Sequence, residues 1–327
     1  MFKKTLMAGA VAAALATPGV VFSADATPAK SPHTLTGNFG IFSQYIFRGL
    51  TQTDRKPAAQ GGFDYSHEGG FYAGTWLSNV SWPKENASVH LAPAAPNLII
   101  GTYEAGGSLE ADFYAGYKWS LPQDFGLDVG TLYYWYPGDV SAVYNTAVRA
   151  GLPIFGGAPK LDTWEAYLAG TWKWASIKYS YSLLDHTFGA LDSRGTGYLD
   201  LSANPPLGDT GWTLNLHWGW QKYRGSDPRN CFAGPFTAAC PGGVGSLGYV
   251  PSNDQLLSYK DVKIGLSYAL PKDFTVGAFW SKGFGYSKAG YGSVNDVAFG
   301  AGATSFFGPY PKDIAVSTGT VFVQKTF

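Results

Sequence analysis

Hydrophobic and polar residues alternate along most of this chain, in segments of roughly ten residues bounded by turn-forming sequences. The segment WTLNLHWGWQ is the clearest of them. One of its faces carries Trp212, Leu214, Leu216, Trp218 and Trp220, and the other carries Thr213, Asn215, His217, Gly219 and Gln221. Because successive side chains of a strand point to opposite faces, this segment and those like it are predicted to be amphipathic β-strands.

The alternation predicts twelve strands. They lie at residues 36–48, 57–66, 70–81, 107–119, 125–137, 161–173, 175–184, 194–202, 211–223, 259–270, 273–283 and 315–327. In the first strand, the parity places Tyr45 and Phe47 on the apolar outer face and Arg48 on the polar inner face. The third and fifth strands are apolar on both faces, so their orientation stays open. Their aromatic residues are candidates to fill part of the interior: Tyr72, Trp76, Tyr134 and Tyr136.

The connections between the predicted strands alternate in length. The short ones are SHEGG, LPQDF, KWAS, ANPPLGDTG and LPKDF. The others are mostly long: LTQTDRKP, then residues 81–106, 138–160, 185–193, 225–258 and 285–314. This sorting is typical of an outer-membrane barrel with short periplasmic turns and long external loops, whereas a soluble sandwich has no reason for it. The sequence therefore predicts an all-β fold, an antiparallel transmembrane β-barrel of about 12 strands over residues 35–327.

The N-terminus has the features of a secretory signal peptide over residues 1–26. Two lysines supply the positive start, an apolar run follows, and small residues allow cleavage after residue 23 or 26. An N-terminal membrane anchor is the alternative, but Pro18 interrupts the run. The chain is thus expected to be exported to the outer membrane of a Gram-negative cell, with a short segment at 27–34 ahead of the barrel.

Composition agrees with a membrane barrel better than with a soluble domain. The chain has 21 Tyr, 21 Phe and 11 Trp but only 14% charged residues, which is more aromatic surface than a soluble core of this length would bury. The formal net charge is zero, so no basic surface indicates a nucleic-acid partner.

The two cysteines, Cys231 and Cys240, lie close together in the segment CFAGPFTAAC. In an exported protein this spacing favours a disulfide that closes a short loop. Metal binding is the alternative, but two thiols without a nearby histidine make a poor site. Neither a metal nor a cofactor is therefore expected.

The start of the predicted barrel carries a distinctive run of motifs, SQYIFRGLTQT and then PAAQGGFDYSHEGGFYAGTWLSNV. Its characteristic positions are Ser43, Tyr45, Arg48, Gly49, Gln60, Gly61, Asp64, Tyr65, Gly70, Phe71, Tyr72, Ala73, Gly74, Ser78 and Asn79. This run, with KTF at the end of the chain, resembles the TorF-type family of outer-membrane porins, once catalogued only as conserved hypothetical proteins. The resemblance implies an outer-membrane barrel of porin type and brings no catalytic residues.

The last residue, Phe327, ends the final amphipathic strand with an aromatic ring, and Val321 and Val323 share its face. A terminal aromatic in this position is similar to the sorting signal that the outer-membrane assembly machinery reads, although Lys325 departs from the usual pattern. The expected partners are therefore the barrel-assembly machinery and outer-membrane lipid. The sequence predicts no oligomeric state.

Charged and polar residues at inner positions are the candidates for lining the lumen. They are Arg48, Asp64, Glu110, Asp112, Lys118, Asp128, Glu165, Lys173, Lys178, Asp200, Asp261 and Lys263, together with Asn215 and His217. Opposed charges on neighbouring strands create a transverse field that a polar solute can cross. Twelve strands ~4.8 Å apart and tilted by ~40° give a diameter of ~24 Å, of which side chains occupy roughly half, so any pore is narrow.

The predicted function is a porin-like channel for the passive diffusion of small hydrophilic solutes. The alternative is a structural or surface-binding barrel, in which the same charges pair off as salt bridges and plug the lumen. An enzyme is not expected, because His217 lacks a His-x-Ser partner and the sequence assembles no nucleophile, base and orienting group.

Overall fold

Twelve antiparallel β-strands form a closed barrel in the computed structural model. The structure describes residues 31–86, 90–91, 99–105, 107–138, 140–143, 160–227, 231–233, 252–292, 302–304 and 312–327. In chain order the barrel strands are β1 His33–Phe42, β2 Ala58–His67, β3 Phe71–Asn79, β4 Leu109–Ser120, β5 Phe125–Trp135, β6 Thr163–Trp172, β7 Ala175–Ser182, β8 Gly197–Ala203, β9 Trp212–Lys222, β10 Tyr259–Leu270, β11 Phe274–Phe284 and β12 Thr318–Thr326. The prediction of an all-β, twelve-stranded antiparallel barrel is confirmed.

Each strand pairs with its neighbours in the chain, and β1 closes the barrel by pairing with both β2 and β12. Asn38 of β1, for example, lies opposite Gly62 on one side and Thr326 on the other. Closure leaves no unpaired strand edge, so the backbone polar groups of the wall are satisfied within the barrel.

The connections alternate between short turns at one end of the barrel and long segments at the other. At the short-turn end the strands are joined by residues 68–70, 121–124, 173–174, 204–211 and 271–273. At the opposite, long-loop end, the strand ends are separated in sequence by the longer intervals 43–57, 80–108, 136–162, 183–196, 223–258 and 285–317. The turns at Gln123–Asp124 and Lys272–Asp273 have two successive residues at positive φ, between 60° and 64°. Such two-residue turns match the twist of the strands that they join.

Small elements occupy the long-loop end. Its helices are α1 Trp82–Asn86, α2 Asn253–Leu257 and α3 Lys288–Tyr291. Its short strands are Ile46–Phe47, Leu50–Thr51, His90–Leu91, Ile99–Ala105, Val140–Val143, His186–Thr187, Ala190–Leu191, Cys231–Ala233 and Gly302–Thr304. Among the described residues, no helix is long and apolar enough to cross a bilayer.

The two faces of the wall differ sharply in burial. Leu168 on the outside of β6 is 55% exposed, whereas Glu165 on the inside of the same strand is 2% exposed. The two strands that are apolar on both faces turn Tyr72, Trp76 and Tyr134 inward, where all three are buried. Alternation along the sequence therefore maps onto an apolar outside and a polar, tyrosine-rich inside.

The first strand differs from its prediction. It ends at Phe42 rather than at Arg48, and the chain then leaves the wall and turns into the barrel. The outward placement of Tyr45 and Phe47 is wrong, because Tyr45 is 3% exposed and Phe47 packs against Tyr134 inside. Alternation continues past Phe42 because the inward segment is itself a short hairpin, so parity alone cannot reveal that the chain has changed course.

Candidate functional site

Residues 43–53, here called the inner hairpin, form the most prominent feature of the lumen. Two short strands, Ile46–Phe47 and Leu50–Thr51, pair across a turn made by Arg48 and Gly49. Both turn residues have positive φ, 46° and 78°, the geometry of a tight two-residue hairpin turn. The sequence Arg-Gly thus places a long cation at the tip of a hairpin inside the barrel.

The inner hairpin reaches across the lumen to several walls. The Gln44 amide donates to Thr318 Oγ1 of β12 at 2.7 Å, and the Tyr45 hydroxyl donates to Glu110 Oε1 of β4 at 2.7 Å. Gly49, at the tip, lies against β10. Contacts on opposite sides of the barrel fix the hairpin as a bar across the long-loop half of the lumen.

Arg48 is bound in a pocket of the opposite wall. Its two terminal nitrogens donate to both oxygens of Glu165 on β6, at 3.0 and 2.7 Å. Further hydrogen bonds reach Gln221 Oε1 on β9 at 2.8 Å and the Tyr134 hydroxyl on β5 at 3.3 Å. The Arg48 and Glu165 side chains are only 7% and 2% exposed, so this is a buried, bidentate ion pair.

Three aromatic rings lie close to the Arg48 guanidinium. Its central carbon lies 4.2 Å from the centroid of the Tyr198 ring, 4.8 Å from Phe47 and 5.9 Å from Phe188. Guanidinium stacks on aromatic faces and is weakly hydrated, which suits it to a buried pocket of this kind. The pocket therefore supplies both hydrogen-bond acceptors and aromatic contacts for the Arg48 guanidinium.

A pair of acids lines the wall behind the root of the hairpin. Glu110 and Asp112 lie two residues apart on β4, point inward and are 0% and 5% exposed. Glu110 Oε2 and Asp112 Oδ1 have no hydrogen-bond partner among the described residues. Because a buried carboxylate without a partner is costly, these two groups either hold a proton or need a cation beside them.

A second polar cluster surrounds His217 on β9. Its Nε2 lies 2.8 Å from Asp261 Oδ1 and its Nδ1 lies 3.3 Å from Asp200 Oδ1. The Tyr198 hydroxyl donates to Asp261 at 2.9 Å, and the Ser202 hydroxyl donates to Asp200 at 2.5 Å. Asp200 and Asp261 thus hold the imidazole between them on the wall opposite the β4 acids.

The His217 cluster brings a serine, a histidine and an aspartate together, with Ser202 Oγ 3.2 Å from His217 Nδ1. Such a set resembles a hydrolytic triad in composition. Here, however, the serine proton is held by Asp200, and Ser202 lies within a strand whose N–H groups serve the barrel ladder. The arrangement leaves the hydroxyl engaged and fits a structural network.

Five predicted lumen residues lie in the short-turn half of the barrel: Asp64, Lys118, Asp128, Lys178 and Asn215. Inward tyrosines contact several of them. The Tyr72 hydroxyl donates to Asp128 at 2.6 Å, and Lys178 Nζ lies 4.0 Å from the centroid of the Tyr167 ring. This half is more open than the long-loop half, since these five side chains are half-buried or exposed.

Two further residues predicted to line the lumen, Lys263 and Lys173, differ in where their side chains point. Lys263 of β10 points inward directly opposite His217 in the β9–β10 register. Lys173 does not line the lumen, and its prediction is wrong, because it sits in the turn after β6 with φ 50° and extends over the ring of Trp172 on the outer face. At a strand end, the turn rather than the alternation sets the direction of the side chain.

The sequence did not indicate the inner hairpin, nor Tyr134, Tyr198 and Gln221 as partners of Arg48. One local signal was present, because Gly49 followed by a polar stretch is typical of a turn. The partners themselves are set by barrel closure and have no local signal.

An ion pair joins the segment that follows the inner hairpin to the last long connection. Lys312 Nζ lies 2.9 Å from Asp54 Oδ2, and Lys56 Nζ lies 3.5 Å from the same oxygen. Burial raises the pKa of Asp54, but the hydrogen bond and charge of Lys312, with help from Lys56, outweigh it and hold that pKa below its usual range. Asp54 therefore stays ionised at neutral pH.

Two predictions concern parts of the chain outside the described residues. The signal peptide at residues 1–26 and Cys240 lie outside the described residues, and nothing is described of the Cys231 side chain. The cleavage site and the disulfide stay predictions.

Fold and interior together define a closed β-barrel with a polar, charged lumen crossed by an inward hairpin. The chain belongs to a bacterial family described as "Bacterial protein of unknown function (Gcw_chp)", whose profile matches residues 26–233. No curated protein matches the chain.

Several solved barrels are similar in fold. The KdgM porin has 9% identity and a TM-score of 0.41, with 89% of this chain and 99% of that chain covered. The NanC porin has 11% identity and a TM-score of 0.40, with coverage of 90% and 99%. The P. putida toluene transporter TodX has 8% identity and a TM-score of 0.40, with coverage of 91% and 90%.

Proposed function

We propose that this protein is an outer-membrane channel of porin type, through which small hydrophilic solutes diffuse past a constriction formed by the inner hairpin. The observation that carries the proposal is the reversal of polarity across the wall, which is apolar outside and charged inside. A soluble protein would place these two surfaces the other way round.

The outer surface supports a membrane location. Exposed aromatic residues gather at both ends of the barrel: Phe71, Trp119, Phe125, Trp172, Trp212 and Phe274 at the short-turn end, and Trp135, Trp164, Tyr181, Trp220 and Trp280 at the long-loop end. Trp164 and Trp172 of β6 are separated along the barrel axis by roughly 20 Å, taking ~3.3 Å per residue and a tilt of ~40°. Aromatic girdles at this spacing flank the apolar band of transmembrane barrels.

The interior supports a channel rather than a filled core. Buried ion pairs seldom stabilise a protein more than apolar residues of the same volume would. A barrel that needed only to be filled would therefore be expected to have an apolar interior. Charges such as Asp64 and Lys118 in the open short-turn half are instead suited to a hydrated lumen.

A second candidate function is a structural or surface-binding barrel with a permanently plugged lumen. The span of the inner hairpin favours it, since Gln44, Tyr45 and Arg48 are anchored on different walls. The two candidates differ in whether solute can pass the hairpin.

Conductance and liposome swelling separate the two candidates. The purified protein is folded into lipid bilayers beside a variant in which residues 45–52 are replaced by a Gly/Ser linker. Heat-modifiable mobility on gels verifies that both are folded. Swelling with sugars of increasing size then measures passage.

If the native protein conducts and admits only the smallest sugars, and the linker variant admits larger ones, the channel is supported. A silent native protein with a conducting variant favours the plugged barrel. If the folded variant is silent as well, a solute pathway through this lumen is refuted.

The remaining expectations form part of the same proposal. The short-turn end, which holds both chain ends of the barrel, would face the periplasm, and membership in the TorF-type porins would follow from the motifs around Arg48. The backbone of Phe327 exchanges hydrogen bonds with Gly37 at 2.7 and 2.9 Å. This closing contact suits a terminal signal for the barrel-assembly machinery.

A further inference from the structure

We propose that the pocket occupied by Arg48 is a binding site for solutes that carry a guanidinium group, and that Arg48 stands in for such a solute while the inner hairpin is docked. The proposal rests on the proposed function, because it names a class of solute for the same lumen. It also predicts binding that can be measured without any current.

The polar edge of the pocket fits a guanidinium. Glu165 offers two oxygens to two nitrogens of Arg48, at 2.7 and 3.0 Å, and Gln221 offers a third oxygen at 2.8 Å. Parallel hydrogen bonds to a carboxylate require a planar fork of donors. An ammonium group is a point charge with no such fork, so it cannot fill the same positions at once.

The faces of the pocket make the same distinction. The guanidinium carbon of Arg48 lies over the Tyr198 ring, 4.2 Å from its centroid, and 5.9 Å from the centroid of Phe188. A planar, weakly hydrated cation gains from such stacking, whereas a compact ammonium keeps more of its hydration. Edge and faces therefore select for one cation shape.

The pocket belongs to the barrel wall and not to the hairpin. Glu165, Gln221, Tyr134 and Tyr198 come from β6, β9, β5 and β8, and all four are at least 96% buried. Only Arg48 itself and Phe47 come from the inner hairpin. Movement of the hairpin would thus remove the occupant and leave the site in place.

Independent hydrogen bonds orient the walls of the pocket. The Gln221 amide nitrogen donates to Gly197 O at 3.2 Å, which turns its oxygen toward Arg48. The Tyr198 hydroxyl donates to Asp261 at 2.9 Å, which holds its ring in place. A site aligned by residues other than its occupant is ready for another ligand of the same shape.

Charge favours a replacement cation. Without Arg48, Glu165 would be a carboxylate almost fully buried in the barrel, which is costly unless a cation pairs with it. Lys178 is the opposing cation on the neighbouring strand, and its Nζ lies over the Tyr167 ring.

The tethered Arg48 competes strongly with any free solute. Tethering gives it an effective concentration on the order of millimolar or above, so free guanidinium should bind the native protein weakly. Removal of the Arg48 side chain should tighten binding by about tenfold or more, because the competitor is gone.

Calorimetric titration of the folded protein in detergent tests the proposal. Guanidinium chloride and L-arginine are titrated into native protein, Arg48→Ala and Arg48→Ala/Glu165→Gln, with L-lysine and NaCl at matched ionic strength as controls. The expected result is binding of guanidinium and arginine by Arg48→Ala, weaker binding by the native protein, and none by the double variant. Lysine should not bind the pocket.

Absence of guanidinium binding to folded Arg48→Ala would overturn the proposal, as would equal binding of lysine or undiminished binding by the double variant. If Arg48→Ala fails to fold, Arg48→Lys is used, which keeps the charge and loses the fork. Guanidinium should then bind more tightly than to the native protein, and failure to do so overturns the proposal.

A bilayer recording separates this proposal from the channel function. If Arg48→Ala conducts, guanidinium should reduce its current while sodium at the same ionic strength does not. If guanidinium binds in solution and no variant conducts, the guanidinium site is supported and the channel function is refuted. If current flows and guanidinium does not bind, the channel function is supported and the guanidinium site is refuted.

Discussion

Gly49→Ala tests directly whether the inner hairpin must dock as the structure has it. Gly49 has φ +78°, a conformation that L side chains rarely adopt. A Cβ at this position would also lie 2.4 Å from the Cβ of Asp261 on β10. The substitution therefore brings both backbone strain and a clash with the opposite wall.

The two effects have separate magnitudes. Left-handed backbone costs about 1–2 kcal/mol for a residue with a Cβ. Relief of the clash requires Asp261 or the hairpin tip to move by about 1 Å, and overpacking of this kind costs about 1–3 kcal/mol. Their sum, about 2–5 kcal/mol, is enough to misalign Arg48 next to the substituted residue or to undock the hairpin.

Gly285→Ala is the matched control. Gly285 has φ +67° at the end of β11, but no atom of the described residues lies within 4 Å of the position its Cβ would take. This variant carries the backbone cost and no clash. The difference between the two variants therefore isolates the contact of the hairpin tip with β10.

Urea unfolding from lipid vesicles, followed by tryptophan fluorescence, measures the stabilities, and bilayer recording measures the current. Gly49→Ala should be less stable than Gly285→Ala by about 1–3 kcal/mol. It should also conduct more than the native protein, while Gly285→Ala conducts like it. Equal stabilities together with equal currents would refute the placement of the hairpin tip against β10.

Three further predictions concern the wall and the long-loop end. Leu168→Arg puts a charge on the outer face near the middle of β6 and should make the free energy of folding into vesicles less favourable by about 2–4 kcal/mol. Asn215→Arg, on the inner face, should fold nearly as well as the native protein. Similar losses of stability for both variants would contradict the assigned faces. Because the pKa of Asp54 is lowered in the folded protein, the ionised carboxylate contributes stability above the ordinary pKa of about 3.9, and this stability is lost as the pH falls through the lower folded pKa. Asp54→Asn should therefore flatten the dependence of stability on pH in the acid range. An unchanged dependence would contradict the ion pairs. Cys231 and Cys240 should be joined by a disulfide, which would stabilise the loop that it closes by about 2–3 kcal/mol. Detection of two free thiols in the purified protein would exclude the disulfide.

The wall of the barrel could be predicted from the sequence because its rules are local. Alternation in the β9 segment sets which residues face out, and each short turn has its own signal, such as the Pro-Gln-Asp and Pro-Lys-Asp runs that become turns at positive φ. The alternation of successive side chains is enough to orient a strand once one of its faces is apolar. The prediction for Lys173 is wrong because this alternation ends where the strand ends.

The contents of the lumen could not be predicted in the same way. Arg48 and Glu165 are 117 residues apart in sequence, and they meet only because the barrel closes and the hairpin turns inward. Alternation gave Arg48 its inward direction correctly, but on a strand that does not extend so far. The remaining signal, Gly49 after a charged residue, marks a turn without saying where the turn goes.

The position of the hairpin also sets the charge of the lumen. The strands contribute seven inward carboxylates from the predicted set, against three inward lysines and His217, whereas Arg48 comes from the hairpin. With the hairpin docked, Arg48 neutralises Glu165 on β6 and the hairpin narrows the lumen. With it displaced, the same wall would lose the charge of Arg48 and become more negative, which favours entry of cations. If the protein is the proposed channel, displacement of the hairpin should make it both wider and more cation-selective. Loss of a wall lysine should change its selectivity without changing its width.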